Sequence, residues 1–149
     1  MSELLFYHLQ NQPLERVLPN LLERSLERGW RVVVQCCSDE RVEALDAHLW
    51  TFRDDSFLPH GTYKENPADQ PILITIHNDN PNQANVRFLL DAAPLPAAAA
   101  AYDRIVVMFD GRDPDAVAQA RQHWKAGKAQ GLAVTYWQAD ENGRWSRKG

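Results

Sequence analysis

The sequence predicts a single α/β domain with a mostly parallel central sheet, and three observations carry that prediction. Strand-like apolar runs alternate with segments of helical periodicity, which is the rhythm of βαβ units. The longest of these runs are continuously apolar instead of alternating, as strands covered on both faces are. The 149 residues are 44% hydrophobic and include five Trp, enough apolar area for one core, so residues 1–149 are read as one domain.

Residues 4–9 (Leu-Leu-Phe-Tyr-His-Leu) are short, apolar and aromatic, as a buried strand is, and Asn11-Gln12-Pro13 ends them. Leu14, Val17, Leu18, Leu21, Leu22 and Leu26 then recur at helical spacing with charged residues between them. Pro19 falls inside that pattern and predicts a kink or a restart, and Gly29 is placed to cap the helix. Residues 31–37 are β-branched and continuous, a central strand. Ser38 caps a second helix whose buried face is Val42, Leu45 and Leu49 and which runs through Trp50. The crossover makes the first two strands parallel.

Residues 53–70, with Asp54-Asp55, Pro59-His60-Gly61 and Asn66-Pro67, read as a long surface excursion without a core of its own. Residues 72–76 form the next strand, 78–82 a dense turn signal, and 85–90 either a short strand or a turn of helix. Five alanines end the segment 94–101, a candidate short helix. Residues 104–109 are a fully apolar strand closed by Asp110-Gly111. Asp113-Pro114 opens the last helix, which runs to about Gln130 before Gly131 stops it. Residues 132–138 are the last long strand, and Asn142-Gly143 is a hairpin turn into Arg144-Trp145.

Composition narrows the function. The apolar run near the N-terminus is far shorter than the roughly 20 residues that span a bilayer, so a cytoplasmic protein without membrane attachment is expected. Cys36 and Cys37 are adjacent and suit no useful disulfide, which points to a reducing compartment. The net charge of −4 argues against a general nucleic-acid surface, yet it is unevenly placed. Residues 1–111 hold 9 Lys/Arg against 16 Asp/Glu, and residues 112–149 hold 7 against 4. A basic end on an acidic body suits a localised anionic partner; solvated lysines on a helix and hairpin are the plainer account.

Signals for catalysis are weak. The first strand-to-helix junction, His8-Leu9-Gln10-Asn11-Gln12-Pro13, has no glycine, and no phosphate loop occurs anywhere in the chain, so neither a nucleotide-binding loop nor a cofactor is expected. The alternative function is a small cytoplasmic α/β hydrolase or transferase that uses Cys36 or Cys37 at the end of a strand as nucleophile. Against it, a Cys on a buried strand is usually a small hydrophobe. The histidines lack metal-ligand spacing with the cysteines, so no metal site is expected. Asp54-Asp55 is read as solvated surface.

Two constellations remain. Arg121, Trp124, Lys125 and Lys128 fall at i, i+3, i+4 and i+7 of the last helix and share one cationic, aromatic side. That side suits an acidic peptide with an apolar anchor, unless Trp124 simply joins the core. The segment from Leu49 to His60 concentrates Trp50, Phe52 and Phe57 beside Leu58-Pro59-His60, either as interface anchors or as rings that hold the loop on the sheet.

Taken in order, Phe6-Tyr7-His8-Leu9, Arg28-Gly29-Trp30-Arg31-Val32, Leu45-Asp46-Ala47-His48-Leu49-Trp50, Ser56-Phe57-Leu58-Pro59-His60, Gln70-Pro71-Ile72, Phe109-Asp110-Gly111 and Ala120-Arg121 with Trp124-Lys125 resemble the chi subunit family of bacterial DNA polymerase III. The resemblance spans nearly the whole chain, and the Leu-Trp to Ser-Phe-Leu-Pro-His run is its most specific part. It implies a Rossmann-like three-layer fold with helices on both faces and no catalytic residues of its own. It further implies a replication adaptor in the clamp-loader complex that binds the acidic, Phe-terminated tail of the single-stranded-DNA-binding protein, and so associates indirectly with single-stranded DNA. The tail pocket maps to Arg121, Trp124 and Lys125, with Lys128 beside them. The segment holding Trp50, Phe57, Pro59 and His60 maps to the surface for the psi subunit or a repair helicase.

Overall fold

The computed structural model describes residues 2–9, 13–51, 58–90, 93–96, 99–139 and 145–147. In chain order the elements are β1 (Glu3–Leu9), α1 (Leu14–Glu27), β2 (Val32–Gln35), α2 (Asp39–Thr51), β3 (His60–Thr62), β4 (Ile72–Thr75), β5 (Val86–Leu89), β6 (Arg104–Asp110), α3 (Pro114–Ala129), β7 (Ala133–Ala139) and β8 (Trp145–Arg147), with short 3₁₀ turns at Pro67–Asp69 and Ala99–Ala101. The strands form one sheet in the order β3-β4-β2-β5-β6-β1-β7-β8. Every neighbouring pair is parallel except β7 with β8. The first two strands run the same way, as expected, but β5 and β6 lie between them.

The apolar runs are buried on both faces because helices cover both. On one face α1 and α2 pack over Val32, Val34, Ile72, Ile74 and Phe88. On the other, α3 together with Ala93, Leu95, Ala99 and Tyr102 packs over Val33, Leu73, Leu89, Ile105 and Val107. This is an α/β three-layer arrangement of the Rossmann-like kind. Among the described residues no helix is long and apolar enough to cross a membrane.

One local reading changes and one open alternative is decided. Residues 58–62 are not a bare excursion: Leu58, His60 and Gly61 are buried, and His60–Thr62 forms the edge strand β3. Residues 86–89 are a central strand, not a turn of helix. The Asn142-Gly143 turn lies outside the described residues, although β7 and β8 pair antiparallel on either side of it. The caps are where they are expected: Ser38 Oγ accepts from the Arg41 backbone N–H at 3.1 Å, and Gly29 ends α1 at φ 79°, a left-handed conformation that disfavours any side chain.

Pro19 neither ends nor restarts α1, which runs through it. Proline has no N–H, so the carbonyl of Glu15 one turn earlier loses its helical donor. Nε2 of His48, on α2, donates to that carbonyl at 2.7 Å. The Arg41 guanidinium meets the Glu15 carboxylate, also at 2.7 Å, and holds that carboxyl below its usual range against the opposing effect of burial. The defect that Pro19 makes in one helix thus becomes the docking point for the other. We expect His48→Ala to destabilise the fold by about 1–2 kcal/mol, read as a lower urea midpoint, because it strips the donor from a part-buried carbonyl.

A second anchor escaped the sequence reading. Arg87, on β5, is 0% exposed. Its Nε and one terminal nitrogen donate to Gln35 Oε1 at 3.0 and 2.6 Å; that nitrogen also reaches the His77 carbonyl, and the other reaches the Asp79 carbonyl and the Tyr102 hydroxyl. Burial pushes its pKa down, with Tyr102 and Asp79 opposing.

Candidate functional site

Helix α3 is started by Asp113, whose carboxylate accepts from the Asp115 N–H at 3.0 Å, with Pro114 at the first helical position. Ala120, His123 and Gly127 recur at three- and four-residue spacing and are buried against the sheet. Arg121, Lys125 and Lys128 consequently lie on the exposed side. Trp124 is half-buried between the two: its ring packs on Phe6 of β1 at 5.5 Å, and Lys128 Nζ lies 5.3 Å from its centroid.

Beside Trp124 a cavity of about 480 Å³ opens between α3 and the sheet. Val117, Ala120 and Trp124 of α3, Phe109 of β6, Tyr136 of β7 and His8 of β1 enclose it, and the exposed Arg121 borders it. Strand alternation explains the far wall. Leu4, Phe6 and His8 point to the α3 face, His8 is in register with Phe109, and Phe6 is in register with Tyr136. The His8 ring lies 5.1 Å from Phe109 and 5.7 Å from Tyr136, nearly perpendicular to the latter. Nδ1 of His8 and the Tyr136 hydroxyl share a hydrogen bond. Gly111 permits this placement, since a methyl group there would overlap the imidazole.

Burial lowers the His8 pKa, with Asp110 opposing, and raises that of Tyr136, so both are uncharged at neutral pH. Arg121 therefore supplies the fixed charge among the residues that line the cavity. Of the four residues expected to act together, Arg121 and Trp124 line the hollow, Lys128 covers the Trp124 ring, and Lys125 shares only the exposed side of the helix. The sequence reading missed His8, Phe109 and Tyr136. Their one local signal was the two-residue alternation of β1, which tells the face but not the neighbour.

The second constellation lies at the other end of the sheet and on the opposite face. Trp50, in the last turn of α2, is 53% exposed and its ring lies 4.6 Å from that of the buried His60. His60 is held by the Leu58 carbonyl at 2.6 Å from Nδ1 and by the Asp46 carboxylate at 3.1 Å from Nε2. Pro59 is half-buried; Phe57 lies outside the described residues. Five strand spacings separate β3 from β1, about 24 Å.

The crevice at the C-terminal ends of β1 and β6, where a doubly wound sheet commonly takes its ligand, holds a cavity of about 670 Å³. Glu15, Asp110, Asp113 and Asp115 line it against Arg41 and Arg112, an unfavourable seat for a phosphate. Cys36 is part of the hydrophobic core, whereas Cys37 is exposed. Among the described residues no three His, Cys, Asp or Glu side chains are grouped as metal ligands would be.

These features have relatives. The family described as DNA polymerase III chi subunit, HolC, matches residues 1–135. A Rickettsia prowazekii (strain Madrid E) protein named as a probable DNA polymerase III subunit chi is 31% identical over 91 residues, 60% of this chain and 55% of that protein. The DNA polymerase III subunit chi of Pseudomonas aeruginosa (strain PAO1) is 30% identical over 59 residues, 40% of this chain and 41% of that one. The chain thus spans about half the length of these curated relatives. With the family match running from the first strand through α3 and into β7, the chain belongs to the DNA polymerase III chi subunit family.

Proposed function

We propose that this chain is a non-catalytic accessory subunit of the DNA polymerase III holoenzyme, working in the cytoplasm as a bridge between the clamp loader and the acidic C-terminal tail of the single-stranded-DNA-binding protein. The observation that carries this reading is the hollow beside α3, apolar on its walls and bordered by one guanidinium. A terminal Phe ring fits among Trp124, Phe109 and Tyr136, and Arg121 can take the terminal carboxylate in a fork. Lys125 and Lys128 meet the acidic residues that precede the ring. Burying the ring is worth about 1.5–3 kcal/mol, against about 0.2–1 kcal/mol for each exposed ion pair, so the anchor dominates affinity and the charges set orientation.

The second partner, psi or a repair helicase, fits the surface of Trp50, Pro59 and His60, to which Phe57 belongs by sequence. The two surfaces lie on opposite faces of the sheet, which supports simultaneous binding. Contact with single-stranded DNA by this route is indirect.

A synthetic acidic peptide ending in Phe tests the reading by calorimetry. Binding is expected to weaken with salt, about tenfold in Arg121→Ala, which loses a charge-assisted bond, and up to about fivefold in Lys125→Ala, whose pair stays in water. Affinity untouched by both substitutions would remove the site assignment.

A further inference from the structure

On the face opposite the hollow, α2 packs on β3 and β4 and α1 on β2, and toward β1, β7 and β8 that face carries aromatic rings with arginines from the end of α1 beside them. Tyr7 is in register with Trp137, Trp137 with Arg147, and Ala139 with Trp145, so all of these side chains share one face. The Tyr7 ring lies 4.8 Å from Trp145 and 6.4 Å from Trp137, and each of the three rings is half-buried, with part of its surface in water.

The arginines converge on this row from a different part of the chain. Burial raises the Tyr7 pKa, and the nearby charges of Arg104, at the start of β6, and of Arg24 and Arg28, at the end of α1, oppose it while Glu3 adds to it. Glu3 is paired with Arg104 at 3.0 Å. The guanidinium carbons of Arg28 and Arg104 lie 4.9 and 5.2 Å from the centroid of Trp30. The result is a strip that runs from Trp145 through Tyr7 and Trp137 to three guanidiniums and then to Trp30. Arg24, Arg28 and Arg147 are exposed along it. Neither cavity reaches it. Trp137, Trp145 and Arg147 also lie beyond residue 135, where the family match ends.

We propose that this aromatic and arginine strip binds single-stranded nucleic acid directly, on the face opposite the hollow and independently of it. The parts of these rings that reach water offer π-surface to unpaired bases of any sequence, and the guanidiniums meet the phosphates between them. A peptide anchored by one large side chain would need a pocket at the strip's centre, where instead the rings already touch one another. The acidic total of the chain is not the local balance: along the strip Arg24, Arg28, Arg104 and Arg147 stand against Glu3, Glu23 and Glu27, and charges beyond a Debye length of about 10 Å are screened.

The test is fluorescence anisotropy of a labelled 15-nucleotide oligothymidylate titrated with the full chain at low salt. Saturable binding is expected, with log Kd rising against log salt at a slope of about 1.4–2, as two or three phosphate contacts require. Trp145→Ala should weaken it about tenfold by removing one stacking platform. The doubly substituted Arg24→Gln, Arg28→Gln chain, altered only at exposed side chains, should weaken it about fivefold and flatten the slope, whereas Arg121→Ala should leave it unchanged. If Trp145→Ala loses its native circular dichroism, the arginine pair alone decides. The proposal is overturned if the wild-type chain shows no saturable binding, or if the arginine pair binds as well as wild type. It is equally overturned if polyglutamate displaces the oligonucleotide as readily as unlabelled oligothymidylate does, since the strip would then be a site for acidic protein.

Discussion

Replacing Arg87 with Met is expected to lower the unfolding free energy by about 3–5 kcal/mol, read as a fall in the urea midpoint with an unchanged slope. The wild-type guanidinium spends all five of its N–H groups on four acceptors: Gln35 Oε1, the carbonyls of His77 and Asp79, and the Tyr102 hydroxyl. Two effects compete. Moving a cation to a site with no exposure costs desolvation, which is why burial lowers its pKa. Against that stand five bonds from a charged donor, each worth about 1.5–3 kcal/mol, and four acceptors that Met would leave without this donor, the Gln35 and Tyr102 side chains among them buried. The bonds win. Arg87→Lys separates charge from geometry: it keeps the cation, but one ammonium cannot serve acceptors spread around a planar fork, so most of the loss should persist. A Met variant within about 1 kcal/mol of wild type would show that desolvation had cancelled the network.

Truncating Trp124 to Ala is expected to be the most damaging change to tail binding, a loss of about 2–4 kcal/mol in peptide affinity by calorimetry. Its indole forms one wall of the 480 Å³ hollow, packs on Phe6 and carries Lys128 over its ring. Removing it opens the hollow to water and frees Lys128 at the same time. Because Phe6 is only 1% exposed, the substitution also leaves a gap over the core, and the thermal midpoint should fall. Trp124→Leu refills part of that gap without a flat wall. The two readouts therefore divide: Leu should recover much of the stability and little of the affinity. If Trp124→Ala folds and binds the peptide as wild type does, the hollow is not the tail site.

Much of the fold was legible because its determinants are local. The helices were marked by apolar residues three and four apart, their starts by Ser38 and by Asp113-Pro114, and the end of α1 by Gly29. The edge strand β3 was hidden because three residues are too few for an alternation, and His-Gly-Thr has no β-branched run. Strand β5 was ambiguous because Arg87 interrupts its apolar pattern, and a buried Arg reads as an exposed one until its acceptors are known. Pro19 was read as a kink or a restart because its remedy, His48, is supplied by another helix.

The same division runs through the candidate site. That Arg121, Trp124, Lys125 and Lys128 share a side follows from 3.6 residues per turn, and needs nothing beyond α3 itself. Residues 4, 6 and 8 likewise share a face by the pleat alone. Which strands lie beside β1 is not written in its period: His8 meets Phe109 and Tyr136 only because β6 and β7 flank it, 101 and 128 residues along the chain. Sequence by itself determined the α/β class, the helix limits and the cationic side of α3, since each depends on interactions within a turn or two. Tertiary structure alone decided that a hollow exists there, that Arg121 and Trp124 line it while Lys125 does not, and where the aromatic strip forms, because strand order is set by how the whole core packs and a short stretch of chain carries no record of its distant neighbours.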